Sequence, residues 1–204
     1  MYYAQIDNSG YCIAISDLQG DIINDNLIPI DTFDASYIRH RYDKDTKAWT
    51  NETNYSSEEI MTAKATELEQ ARDSAIAAGF DCDAFGTGTA LHYTLTTQEQ
   101  EDLKLQYEAV KNGATQILWH DDSKYMHDIY TAEQFLKVFA AGYVHALQCK
   151  LKCDALKAYV QSLLSAGNTD GARAVNWDTP LPDALQATVN EQLQIQCQNA
   201  GISL

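Results

Sequence analysis

Apolar and polar positions follow two different rhythms along the chain, and the change between them divides it. In the first fifty residues the apolar positions come in short β-prone runs. Tyr3-Ala4-Gln5-Ile6 and Tyr11-Cys12-Ile13-Ala14-Ile15 are separated by Asp7-Asn8-Ser9-Gly10, a turn signal that predicts a hairpin. Leu27-Ile28-Pro29-Ile30 is a further extended piece. Its proline has no N–H to give a ladder, so it belongs at a sheet edge or a strand end. Residues 37–42 and 47–50 flank Asp43-Lys44-Asp45-Thr46 and predict a second hairpin. Residues 1–50 thus read as a small β module, followed by a linker at 51–57 that has no periodicity.

Beyond the linker the period becomes helical. Ser56 stands three residues before Glu59, a capping box, and the helix it opens is predicted to end at Ala78 before Gly79. Its apolar positions (Ile60, Leu68, Ala71, Ala75 and Ile76) form a narrow, alanine-rich stripe suited to close packing on another helix. Residues 80–95 have a β texture with Gly86-Thr87-Gly88 as the turn. Thr97 with Gln100 predicts a second helix through Val110, ended by Asn112-Gly113. Residues 115–120 and 124–130 predict a hairpin around Asp121-Asp122-Ser123.

Thr131 with Gln134 opens the longest helix, predicted to reach about Ser165, with Gly167 as the stop. Phe139, Gly142, Ala146, Cys149, Cys153, Leu156, Val160 and Leu163 recur at spacings of three and four. Leu136, Ala140, Tyr143, Leu147, Leu151 and Ala155 form an adjoining stripe. Two stripes on one long helix predict that it either carries the domain core or also meets a second chain through a heptad seam. The candidate interface is Leu136, Phe139, Tyr143, Leu147, Leu151, Leu156 and Val160. Residues 167–204 read as a long loop and a last helix over 183–199, with Leu185, Val189, Leu193 and Gln196 on one face. A loop of that length is uncommon inside a compact domain, so this tail is expected to dock elsewhere or on a partner. The fold class is α+β, with residues 58–166 as its main domain.

Composition narrows the function. The 204 residues carry 14 Lys+Arg against 29 Asp+Glu, a net charge of -15. Nucleic-acid binding needs a cationic face and is excluded as a class, and docking on anionic membranes is disfavoured. The N-terminus has neither the basic nor the apolar region of a signal peptide, and no apolar run is long enough to span a bilayer. Five scattered cysteines (Cys12, Cys82, Cys149, Cys153 and Cys197) fit synthesis in a reducing cytoplasm better than a secreted disulfide scaffold.

Three constellations could carry chemistry. Cys149 and Cys153 face the same way at i and i+4 and could supply half a zinc site, but both lie on the main apolar stripe and no second pair of ligands accompanies them. His120-Asp121-Asp122 with His127-Asp128 gathers two imidazoles and three carboxylates within nine residues, the ingredients of an acid–base or metal site. Turn propensity alone explains the same letters, with His120 and His127 as a cross-strand pair. Asp81-Cys82-Asp83 begins like a calcium loop with Gly86 in place, but His92 stands where the closing glutamate should be. No nucleophile elbow, phosphate loop, dinucleotide fingerprint or zinc-protease motif occurs. The sequence predicts no enzyme, no metal and no cofactor.

Several stretches resemble an uncharacterised α+β domain that recurs in tail and tail-fibre-associated proteins of tailed phages and prophages. They are residues 65–80 (Ala-Thr-Glu-Leu-Glu-Gln-Ala-Arg-Asp-Ser-Ala-Ile-Ala-Ala-Gly-Phe), Ile117-Leu118-Trp119-His120-Asp121-Asp122, Thr131-Ala132-Glu133-Gln134-Phe135, and the long helix with His145. The resemblance covers roughly residues 58–165, and the N-terminal piece is similar to short β modules at the ends of phage tail proteins. It implies a structural or adaptor protein of a tail (baseplate, tail fibre or fibre attachment), synthesised in the bacterial host cytoplasm and carried in the virion. It also implies other tail or baseplate proteins as partners and a homo-oligomer, a trimer if it follows fibre symmetry. The alternatives are a cytoplasmic assembly chaperone and a small metal-dependent hydrolase using His120, Asp122 and His127.

Overall fold

A computed structural model describes residues 1–123 and 126–202, and two compact units emerge, Met1–Glu59 and Ile60–Leu204. The chain is α+β, as the two rhythms predict.

In the first unit, β1 (Tyr2–Ile6) is the centre of an antiparallel sheet ordered β2-β1-β3, with β2 at Cys12–Asp17 and β3 at Leu27–Ile30. Pro29 therefore sits on an edge strand, where a missing donor costs no ladder bond. The Asp7 carboxylate accepts from the backbone N–H groups of Ser9 and Tyr11 and holds the first turn. The second hairpin pairs β4 (His40–Asp43) with β5 (Ala48–Thr53). Residues 37–39 are not strand, contrary to the sequence pattern. Asp34 caps a 3₁₀ turn over Ala35–Tyr37, and Arg39 has φ +73°, so extended pairing begins only at His40. The linker expected at 51–57 is also shorter, because β5 continues until Thr53 pairs with His40 across a bulge. Ala4, Ile6 and Cys12 are the buried core here, packed by Ile28, Tyr42 and Trp49 among others.

The second unit is organised along one helix. α1 (Ser57–Ala78) opens with the Ser56/Glu59 box, each side chain accepting from the other's backbone N–H. It stops at Gly79, whose φ of +88° brings the chain straight into β6 (Phe80–Cys82). β6 pairs with β7 (Leu91–Tyr93), and α2 (Thr97–Lys111) follows. The cap of α2 is Thr96 with Glu99, one residue earlier than the Thr97/Gln100 pair, because Thr96 keeps extended backbone and Glu99 returns a bond to its N–H. β8 (Gln116–Trp119) pairs with β9 (Asp128–Thr131), so the connection is residues 120–127 and not the three-residue turn expected. Lys124 and Tyr125, assigned to that second strand by the sequence, lie outside the described residues.

α3 (Ala132–Ser165) is capped by the predicted Thr131/Gln134 box and ends in a Schellman arrangement, with Gly167 donating to Leu164 and Asn168 to Leu163. Its 34 residues span about 50 Å at 1.5 Å per residue. Its first half carries a core of Phe80, Tyr93, Leu103, Trp119, Tyr130, Phe135 and Val138, together with neighbours from α1 and α2. Its second half carries another, built from Ile60, Leu68, Cys153, Leu156, Val160, Leu164, Ala172 and Val175. α1 runs antiparallel to it, since Leu68 meets Cys153 while Ala75 meets His145.

The tail does not dock elsewhere. Its loop contains a short helix, α4 (Thr169–Ala174), and both α4 and α5 (Asp183–Asn199) pack on α3 of the same chain. Trp177 contributes to both cores and lies under the Lys152 ammonium at 4.6 Å. The inner row of α5 is Val189, Leu193 and Cys197, a spacing of four throughout, and Gln196 is exposed.

Candidate functional site

A polar cluster forms where β6, β7, the start of α2 and the segment after β8 meet. Asp81 on β6 and His92 on β7 are direct cross-strand partners. His92 Nδ1 lies 2.7 Å from Asp81 Oδ1, and its Nε2 lies 2.8 Å from the carbonyl oxygen of Ala78 and 3.7 Å from Asp122 Oδ2. With an acceptor at each ring nitrogen the imidazolium is favoured, and His92 is raised above its ordinary value, chiefly by the hydrogen bond to Asp81. Asp122 Oδ1 accepts from the Thr94 backbone N–H at 3.0 Å, and the Asp122 N–H donates to the His92 carbonyl. The Thr94 hydroxyl lies 2.6 Å from Glu99 Oε1 and 3.1 Å from Asp122 Oδ1, and its single proton can serve one of them at a time. Burial alone would raise Glu99, but the Thr94 hydroxyl and the Thr96 backbone N–H bring it below its ordinary value.

The residues nominated by the sequence are brought together only in part. The rings of His120 and His127 meet edge to face with centroids 4.8 Å apart, extending the β8–β9 pairing by one step. Asp121 is 1 % exposed and accepts from the Ser123 backbone N–H, while Asp122 turns away toward Thr94 and His92. The carboxylates thus work as turn and junction groups. His120, Asp122 and His127 do not converge on one point. Asp81 and Asp83, read as the start of a calcium loop, also separate: Asp83 accepts from the backbone N–H groups of Thr87 and Gly88 and shapes the β6–β7 turn. The Asp81–His92 pair was missed. Its signal was present, because the two residues stand symmetrically about the Gly86 turn and one step of register places them opposite each other.

Cys149 and Cys153 are buried on α3, and burial pushes both thiols above their ordinary value, the state of packed and unreactive cysteines. Cys149 Sγ is 4.0 Å from His145 Nε2, the same nitrogen that sits 3.0 Å from the Ala75 carbonyl. That contact requires Nε2 to carry its hydrogen, so the imidazole has no lone pair there to deprotonate the thiol. Among the described residues no group of three or more His, Cys, Asp or Glu side chains is placed to hold a metal ion.

The candidate interface splits in two. Leu156 and Val160 are 0 % exposed inside the second core, so they are packing residues of this chain and not a surface. They pack against residues of α1 and α4 in the same chain, where the sequence pattern places a partner. Leu136 is exposed, and Phe139, Tyr143, Leu147 and Leu151 are half-buried. Phe139 stacks on Tyr107 of α2 at a centroid distance of 3.9 Å and lies 6.4 Å from the Tyr143 ring. Between α2 and α3 these rings border a groove of about 340 Å³.

Residues 59–179 match the model of a family described as a domain of unknown function, DUF4376. The chain belongs to the DUF4376 family. The DUF4376 segment begins in the first turn of α1 and ends after α4, so it contains the polar cluster, both cores and the α2–α3 groove. The β module and α5 lie outside it. No curated protein and no solved structure matches the chain.

Proposed function

We propose that this chain is a structural or adaptor component of a phage tail, in the baseplate, the fibre or the fibre attachment. It works by protein–protein contact, is made in the host cytoplasm and is carried in the virion. The observation that carries this reading is the apolar surface of the DUF4376 domain. Leu118 and Ile129 are cross-strand partners on the open face of the β8–β9 hairpin, 59 % and 63 % exposed, and Leu105 and Leu136 are exposed on α2 and α3. A cross-strand pair of large apolar side chains on an open face suits a docking subunit. The groups nominated for chemistry include Asp121 and Asp83 in turns, Asp122 at a junction, and Cys149 and Cys153 packed in the cores. The phage assignment itself rests on the resemblance of residues 58–165.

Mass spectrometry of purified particles tests the reading, and the protein is expected among the virion components. Presence in infected-cell lysate with absence from particles would favour the assembly chaperone instead. Sedimentation of the pure protein tests the homo-oligomer, for which a clean 22.7 kDa monomer would be the contrary result.

A further inference from the structure

The groove between α2 and α3 is apolar along its floor and carries two lysines at its rim, in a chain whose net charge is -15. Leu103, Tyr107, Phe139, Gly142, Tyr143 and Ala146 line it. Its charged neighbours are Lys104, Glu108 and Lys150, two cations against one carboxylate, whereas the whole chain has 14 basic and 29 acidic residues. Lys104 and Lys150 also border the adjoining hollow, which runs to α1 and is shared with Arg72, Asp73, Glu101 and Asp154. There Arg72 is paired with Asp73, and Asp154 lies 4.0 Å from Lys157. Lys104 and Lys150 are exposed and make no ion pair or hydrogen bond among the described residues. Lys111, on the same helix as Lys104, lies 5.7 Å from the centroid of the Tyr107 ring. Two helices that flank an aromatic-floored cleft, with cations left unspent on either side, match the helix-in-groove mode of recognition.

We infer that the α2–α3 groove docks an acidic amphipathic segment of a partner protein, its apolar anchors on Tyr107, Phe139 and Tyr143 and its carboxylates at Lys104 and Lys150. The inference rests on the contact-based reading above and adds the chemistry of the partner. A second copy of the same groove surface would set Lys104 and Lys150 against themselves and gain no charge complementarity.

The test is a fluorescence-anisotropy titration of the full chain with a short synthetic helical peptide. It carries Leu and Phe at spacings of three and four and Glu on the flanks, and a control peptide carries Lys in place of Glu. The Glu peptide is expected to bind and the Lys peptide not to. The double variant K104E/K150E, whose two positions are exposed and whose fold is checked by its melting curve, is expected to lose about tenfold or more in affinity for the Glu peptide. Equal binding of the two peptides, binding of neither, or affinity unchanged in the double variant would each overturn the inference. So would self-association of the wild type that the double variant abolishes, which would give the groove to a second copy. The particle analysis and this titration fail separately, since the first reads location and the second reads the groove.

Discussion

His92 Nδ1 and Asp81 Oδ1 stand 2.7 Å apart across the β6–β7 ladder, and through His92 Nε2 the same ring reaches the Ala78 carbonyl at the end of α1. One side chain thereby ties a helix end, a hairpin and, at 3.7 Å, the Asp122 segment.

This junction makes stability depend on pH in a definite direction. His92 binds its proton more tightly folded than unfolded, so its contribution is full below its ordinary value of 6.5 and is lost as pH rises through the raised folded value. Melting curves of the wild type and His92→Gln between pH 5.5 and 8.5 should differ most at the acidic end and converge toward the basic end. The ring is 48 % exposed, so the difference should be about 1 kcal/mol or less. A gap that widens with pH would contradict the assignment.

Gly79→Ala should be among the most damaging small substitutions. The residue has φ +88°, and an added Cβ would run into the Tyr93 backbone. A loss of about 2 kcal/mol or more is expected in denaturant melts. Gly142→Ala tests packing alone, because its Cβ would meet the Phe80 ring at 2.9 Å and Leu103 Cδ2 at 3.2 Å in a helix that alanine otherwise favours. It should destabilise in spite of the better helix propensity, and a stabilised variant would show that the Phe80 ring can yield.

Replacing Cys149 and Cys153 by Ala should cost about 1–2 kcal/mol per site, as small core truncations do, with no change in metal content. Stoichiometric zinc in the wild type that the double variant lacks would overturn the packing role.

Leu156→Ala and Leu136→Ala separate core from surface on the same helix. The first should lose about 2–5 kcal/mol by creating a cavity, and the second should stay within about 0.5 kcal/mol in the isolated protein. Comparable losses at both sites would mean that Leu136 is covered in solution.

Residues 57–204 should unfold as one cooperative unit, whereas a fragment ending at residue 166 should not. Both fragments lack Ser56, the cap of α1. The shorter one also loses the Gly167 and Asn168 N–H groups that close α3 and removes Ala172, Val175 and Trp177 from the second core. Circular dichroism melts of the two fragments decide, and a sharp transition in the shorter one would count against an integral tail.

Much of this architecture was legible because it is local. The Ser56/Glu59 and Thr131/Gln134 boxes, the stops at Gly79 and Gly167 and the β-edge position of Pro29 depend on neighbours within a few residues. What escaped depends on partners distant in sequence. The stripe through Leu156 and Val160 read as a seam because Ile60, Ala172 and Val175, which bury it, come from separate segments. Val175 and Trp177 sit in what looked like an unstructured loop. The candidate site failed to converge for a similar reason: His120, Asp122 and His127 lie within eight residues of sequence, but Asp122 is claimed by Thr94, twenty-eight positions away.

Cys197 is fully enclosed although it belongs to α5, the helix outside the family segment. Cys153, on α3, is equally enclosed in the second core. The two thiols therefore act as independent clocks. Alkylation at Cys197 counts the moments when α5 lifts from its seat, and alkylation at Cys153 counts openings of the family domain itself. Equal rates would mean that the appended helix and the domain open as one body. Faster loss of the Cys197 thiol would mean that this chain wears its last helix as a detachable clasp.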